Sequence, residues 1–155
     1  MKASFSGNVQ KIRNDEVALC RSIHLFHATL LESIERELVS VGLPLRYKQF
    51  LVLDHLATHG STSAHEIAKS AYVIGGGITR ILDELTDMGL LRRMADASDR
   101  RALCIVLTKE GLQRWSRACT IVKNAILGAT RALKPFERQR MSGYLQQTLK
   151  GSQHG

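Results

Sequence analysis

The chain has 155 residues, 22 Lys and Arg against 14 Asp and Glu, and a formal net charge of +8, which suits one domain with extensions and a polyanionic partner. No apolar run approaches the ~18 residues of a bilayer span, and the first sixteen residues lack the apolar stretch of a secretory signal, so a cytoplasmic protein with no membrane partner is expected. The three cysteines, Cys20, Cys104 and Cys119, lack C-x-x-C spacing, which argues against a disulfide framework or a zinc knuckle.

Residues 1–13 are polar and basic. Asn14 or Asp15 then caps a long helix, along which Val17, Cys20, Ile23, His27, Leu31, Ile34 and Leu38 recur at three-to-four spacing. That stripe is too long for a small core and predicts packing on a second chain. Gly42 and Pro44 end it. A second helix is expected over residues 45–58, with Tyr47, Phe50, Leu51 and Leu53 apolar, closed by Gly60. Ser61 and Thr62 form a short extended link, expected to make a one-bridge third strand. Ser63-Ala64-His65-Glu66 is a capping box, and the helix it opens buries Ile67 and Ala68. Residues 71–74 make a turn.

Gly75, Gly76 and Gly77 open the next helix, although glycine costs roughly 1 kcal/mol relative to alanine inside one. Two readings stand: a loose turn, or a helix start that lets a phosphate or base edge approach the backbone. Ile78, Ile81, Leu82 and Leu85 fall at i, i+3, i+4 and i+7, so residues 76–88 make an amphipathic helix that Gly89 stops. Residues 90–94 and 102–107 form two strands joined by a polar turn over 95–101. Thr108 caps a helix with a seam of Leu112, Trp115, Cys119, Val122, Ile126 and Ala129, and Pro135 begins a last helix whose apolar residues are Phe136, Met141, Tyr144, Leu145 and Leu149.

Two short helices followed by a hairpin read as a winged helix-turn-helix, which places its second helix in the DNA major groove and its hairpin on the adjacent backbone. The fold class is mainly α with a small β-hairpin wing. One unit is expected over 1–155, with a winged-helix lobe at 44–108 and dimerisation helices at 15–43 and 109–150. A two-fold dimer suits a palindromic site with half-sites about one turn, ~10 bp, apart.

The segment Asp99-Arg100-Arg101-Ala102-Leu103-Cys104-Ile105-Val106-Leu107-Thr108 resembles the wing signature of the MarR family of bacterial transcription regulators: Asp-x-Arg, five residues, then Leu-Thr. Asp96-Ala97-Ser98 before it and Gly111 after it are similar too, as are Ile78-Thr79-Arg80-Ile81-Leu82-Asp83-Glu84-Leu85 and Gly89-Leu90-Leu91 to the family's recognition helix and its exit. The resemblance covers roughly residues 15–150. It implies a homodimeric regulator, more often a repressor than an activator, released from a palindromic operator by a small molecule. It also implies that Arg101 enters the minor groove and that Asp99 orients it, the alternative for Asp99 being a turn-former. The glycine triplet departs from the family, which has polar side chains there. Specificity then leans on Thr79, Arg80, the wing and DNA shape. The expected DNA-contacting set is Ser61, Thr62, Ser63, Gly75, Gly76, Gly77, Thr79, Arg80, Asp99, Arg100 and Arg101.

The family's effector site lies between the winged and dimerisation lobes, which here implicates Arg21, His24, His27, Tyr47 and Phe50; arginine or histidine beside aromatics suits a small aromatic acid. The two histidines read equally as ordinary helix-face residues. Cys20 is near the reactive cysteine of the hydroperoxide-sensing branch, and Tyr47 resembles the tyrosine that bonds it. Cys20 is nevertheless about two residues out of register, and a plain buried cysteine is the competing reading, as it is for Cys104 and Cys119. His24/His27 and His55/His59 have chelating spacing, but no further ligand completes either pair, so no metal or other cofactor is expected. No nucleophile elbow, P-loop, dinucleotide fingerprint or HExxH motif occurs, so no enzyme is expected. A winged helix that binds only protein is the remaining alternative, distinguished by binding insensitive to salt.

Overall fold

A computed structural model describes residues 15–71, 77–95 and 103–152. It contains α1 (Asp15–Ser40), α2 (Tyr47–His59), α3 (Ala64–Ser70), α4 (Gly77–Asp87), β1 (Leu91–Ala95), β2 (Leu103–Leu107), α5 (Lys109–Ala129) and α6 (Pro135–Ser152). The strands form an antiparallel pair, with Leu91 opposite Leu107 and Ala95 opposite Leu103.

The helix boundaries follow local chemistry. Ser63 Oγ accepts from the Glu66 amide at 3.3 Å, and Thr108 Oγ1 from the Gly111 amide at 3.0 Å, so each hydroxyl satisfies one donor left open at its helix start. Gly89 has φ +71°, a conformation that a side chain would strain. Its amide donates to Thr86 O and that of Leu90 to Leu85 O, which closes α4 with the paired bonds of a Schellman end. Thr62 exchanges two backbone bonds with Ile105 and supplies the expected third-strand bridge.

One core joins these elements. Phe50, Val52, Leu53 and Leu56 of α2 are buried with Ile67, Leu82, Leu85, Leu90, Leu91 and Ile105. Fully burying each large side chain is worth about 1.5–3 kcal/mol, so the winged unit is held by its own apolar contacts. Ile34 and Leu38 extend the core into the last turns of α1. The first half of α1 differs: Val17, Leu19, Ile23 and Leu25 are 40–62% exposed. The stripe expected along all of α1 is therefore covered by this chain only at its C-terminal end.

Helix α5 also departs from the expected seam. Its buried positions are Gly111, Ala118 and Ala125, seven residues apart, while Leu112 is exposed and Trp115, Cys119 and Val122 are half-buried. Small residues at a heptad interval let α5 lie close against its neighbours, and the larger seam residues flank that contact. A Cβ on Gly111 would stand 2.1 Å from Leu90 O, so the first turn of α5 touches backbone directly. Trp115 Nε1 donates to Asp54 Oδ1 at 3.0 Å and ties α5 to α2. Among the described residues α6 buries none. Its direction is set at the elbow, where Arg138 Nη1 donates to Leu133 O at 2.6 Å and Glu137 Oε2 accepts from the Lys134 amide at 2.6 Å.

Candidate nucleic-acid interface

Helix α4 shows opposite chemistry on its two sides. Leu82 and Leu85 are buried, with Ile78 and Ile81 packed beside them, while Thr79, Arg80, Asp83 and Asp87 are exposed. The outward residues are thus one cation and two full acids, with Glu84 half-buried at the edge. Bare acids would repel a phosphate backbone, and two of the three are neutralised by arginines. Arg93 on β1 reaches Asp83 Oδ1 at 2.6 Å and fixes the hairpin to the helix. Glu84 accepts from Arg80 Nε at 3.0 Å, Arg46 Nη2 at 2.9 Å and Gln49 Nε2 at 2.8 Å. The Arg80 bond, followed by the charge of Arg46, holds the Glu84 carboxyl below its ordinary pKa against the opposing effect of desolvation.

Of the residues expected to meet DNA, Thr79 and Arg80 are exposed on α4 and Gly77 is its first residue. Ser61 and Ser63 are exposed at the entry to α3. Thr62 is half-buried and its amide is spent on Ile105 O, so a phosphate bond from that amide is ruled out and only its hydroxyl remains. The hydroxyl of Ser63 caps α3 and keeps its own proton for donation. Gly75, Gly76, Asp99, Arg100 and Arg101 lie outside the described residues. Arg46, Gln49, Glu84, Asp83 and Arg93 lie outside the expected DNA-contacting set. Pairs 10 to 38 residues apart leave no periodic trace, although Asp83 and Arg93 bracket the Gly89 turn closely enough to invite the pairing.

The residues expected to hold an effector do not meet within one chain. Tyr47 stacks on Phe50 with ring centroids 6.0 Å apart, and its amide donates to Glu35 Oε1 at 2.8 Å. Burial, and then the charge of Asp54, push the Tyr47 phenol upward. His27, His24 and Arg21 precede Glu35 by 8, 11 and 14 residues, or roughly 12 to 21 Å along α1, and all three are exposed. Cys20 is farther still and exposed, so it is neither a buried core cysteine nor a partner of Tyr47 in the same chain. Cys119 packs at the core edge, where burial raises its thiol pKa, and Cys104 is half-buried. A groove of about 330 Å³ between α1 and α5 is lined by Phe26, Leu30, Ser33, Asn124 and Gly128 among others. His55 and His59 stack at 4.5 Å, with His59 Nδ1 donating to His55 O, and no group of three metal-ligating side chains occurs among the described residues. No helix among the described residues is long and apolar enough to cross a membrane.

Comparison with known proteins places this geometry. Residues 45–103 match the model of the MarR family. The chain is 33% identical over 81 residues to the homoprotocatechuate degradative operon repressor of Escherichia coli, covering 52% of this chain and only 55% of that protein's length. It is 28% identical over 106 residues to the uncharacterized HTH-type transcriptional regulator YkoM of Bacillus subtilis, covering 68% of this chain and 69% of that one. Its fold superposes on a cysteine-to-serine variant of E. coli MarR complexed with operator DNA, with a TM-score of 0.77 at 24% identity over 88% of this chain and 96% of that one. Residues 45–103, which carry the helix-turn-helix and the start of its wing's return strand, thus belong to the MarR family, and the helices around them complete the same fold.

Proposed function

We propose that this chain is a homodimeric transcription regulator that binds operator DNA and acts as a repressor. The observation that carries the reading is α4 itself. An amphipathic helix presents Thr79 and Arg80 outward over a buried Leu82/Leu85 face, and a surface salt bridge of 2.6 Å joins it to the hairpin. That arrangement suits a groove-reading helix with a wing beside it. The name of the E. coli relative supports the sign of regulation. The dimer reading rests on the exposed apolar half of α1 and the uncovered α6, which lie at the two ends of the chain.

The test is fluorescence anisotropy on a labelled duplex from the DNA flanking the protein's own gene. Affinity should fall steeply with salt, with a logarithmic slope of about −0.9 for each phosphate neutralised. Arg101→Ala should weaken operator binding about tenfold or more while the protein stays dimeric. Unchanged binding would remove the wing arginine from the mechanism, and salt-insensitive binding would favour the protein-only reading.

The finer proposal is that a small aromatic acid releases the operator. Its support is the E. coli relative, which is named as the repressor of a homoprotocatechuate degradative operon; of the expected lining, Tyr47 is half-buried and stacks on Phe50, whose side chain belongs to the core. Titrating aromatic carboxylates into the same assay tests it. The rival trigger is oxidation at Cys20, a free thiol on the half of α1 that this chain leaves uncovered. Loss of binding on peroxide treatment with recovery on thiol addition would favour that trigger.

A further inference from the structure

The geometry points to Glu84 as a positioning residue that presets Arg80 for sequence readout, so that Glu84, which need not touch DNA itself, sets operator specificity. This rests on the DNA-binding function proposed above.

Gln49 is 4% exposed and bonded at both ends. Its Oε1 accepts from the Arg46 amide at 2.9 Å, and its Nε2 donates to Glu84 Oε2 at 2.8 Å. A buried amide with both ends satisfied has one comfortable orientation, so it fixes where Oε2 sits. Arg46 Nη2 reaches the same oxygen at 2.9 Å. With Oε2 pinned from α2, the other oxygen, Oε1, has a set place at the outer edge of α4, and Arg80 Nε donates to it at 3.0 Å.

The atom that Arg80 uses decides what it keeps. A guanidinium reads the O6/N7 edge of guanine with two nitrogens side by side. Here Nε is taken by Glu84, and among the described residues Nη1 and Nη2 make no bond, on a side chain that is 78% exposed. Arg80 is the fourth residue of α4, within the N-terminal part of a recognition helix that contacts base edges. A long side chain free to choose among its rotamers loses that freedom on binding; one already held loses less. The same carboxylate cancels a positive charge between Arg46 and Arg80, which lowers attraction to any phosphate backbone. Glu84 therefore acts on discrimination by presenting Arg80 to the right base, while its charge lowers affinity for operator and random duplex alike.

The test compares wild type, Glu84→Gln, Arg80→Ala and the double variant, each titrated onto the operator duplex and onto a scrambled duplex of equal length. Circular dichroism and light scattering confirm fold and oligomeric state. Glutamine keeps the size of Glu84 and its hydrogen bond with Gln49, so the variant should fold. Glu84→Gln should bind the scrambled duplex as tightly as wild type or tighter, while its operator-to-scrambled ratio falls about tenfold, in the range set by one base contact. In the Arg80→Ala background, adding Glu84→Gln should change that ratio less than about twofold, because the residue being positioned is gone. An unchanged ratio in the single variant, a parallel loss on both duplexes, or the same fall without Arg80 would each overturn the inference. If wild type itself failed to prefer the operator, the proposed function would fall and this inference with it; if wild type discriminates, failure reaches Glu84 alone.

Discussion

Helix α2, with 13 residues, buries Gln49, Phe50, Val52, Leu53 and Leu56, while α6, with 18, buries none among the described residues. Both carry apolar side chains at helical spacing. In α2 they meet β2 and the helices packed around it. In α6, Met141 and Leu145 line a shallow groove of about 270 Å³ with Ile126 of α5, and Phe136 and Tyr144 are more than half exposed. The first half of α1 repeats the pattern of α6. Periodicity therefore reports that a face is apolar and says nothing of what covers it. The winged lobe closes on itself, and the two chain ends leave apolar surface of the kind a second copy buries.

The strongest way to break that comparison is a charge on the uncovered face. Leu145→Asp would bury an uncompensated carboxylate in a dimer but costs little in a monomer, where the side chain is 46% exposed. We expect it to weaken dimerisation by about 3 kcal/mol or more, over a hundredfold, with helix content retained by circular dichroism. Sedimentation showing an unchanged dimer would mean that α6 lies outside the interface. The converse variant is Leu53→Ala in α2, whose side chain is fully buried. It should cost about 2–5 kcal/mol in denaturant unfolding, because the surrounding helices cannot close the cavity. A loss below about 1 kcal/mol would mean that the winged lobe is less closely packed than its burial indicates.

How much of this was legible in the sequence depended on the range of the interaction. Ser63, Thr108, Gly89 and Pro135 each mark a helix end within four residues, and the structure ends or begins a helix at each. The single bridge at Thr62 was also readable, since an extended link between helices beside a hairpin has an edge to pair with. The cluster around Glu84 was not, because Arg46 and Gln49 come from another helix more than thirty residues away. Exposed Thr79 and Arg80 followed from the amphipathic pattern of α4, whereas the covered and uncovered halves of α1 carry equally apolar residues and differ only in their neighbours.

Helix α5 shows the same limit in another form. A reading that ranks positions by apolar size selects Leu112, Trp115 and Val122, whereas the buried row is Gly111, Ala118 and Ala125. Small residues are buried because they permit approach, and approach is a property of two elements rather than one. Gly111→Ala tests this at its tightest point. The added methyl group would meet Leu90 O at 2.1 Å and a Leu107 methyl at 3.0 Å, and the former is backbone that cannot rotate away. Relief requires the first turn of α5 to withdraw. That also strains the Thr108 side-chain bond to Gly89 O at 2.7 Å and its amide bond to Leu90 O at 3.0 Å, which join α5 to the exit of α4. Alanine favours a helix by up to about 1 kcal/mol over glycine, so on helix propensity alone the variant would gain stability. We expect overpacking to win, with a net loss of about 1–3 kcal/mol in denaturant unfolding. A gain would show that α5 withdraws from Leu90 at little cost, and that the small-residue row is spacing rather than contact.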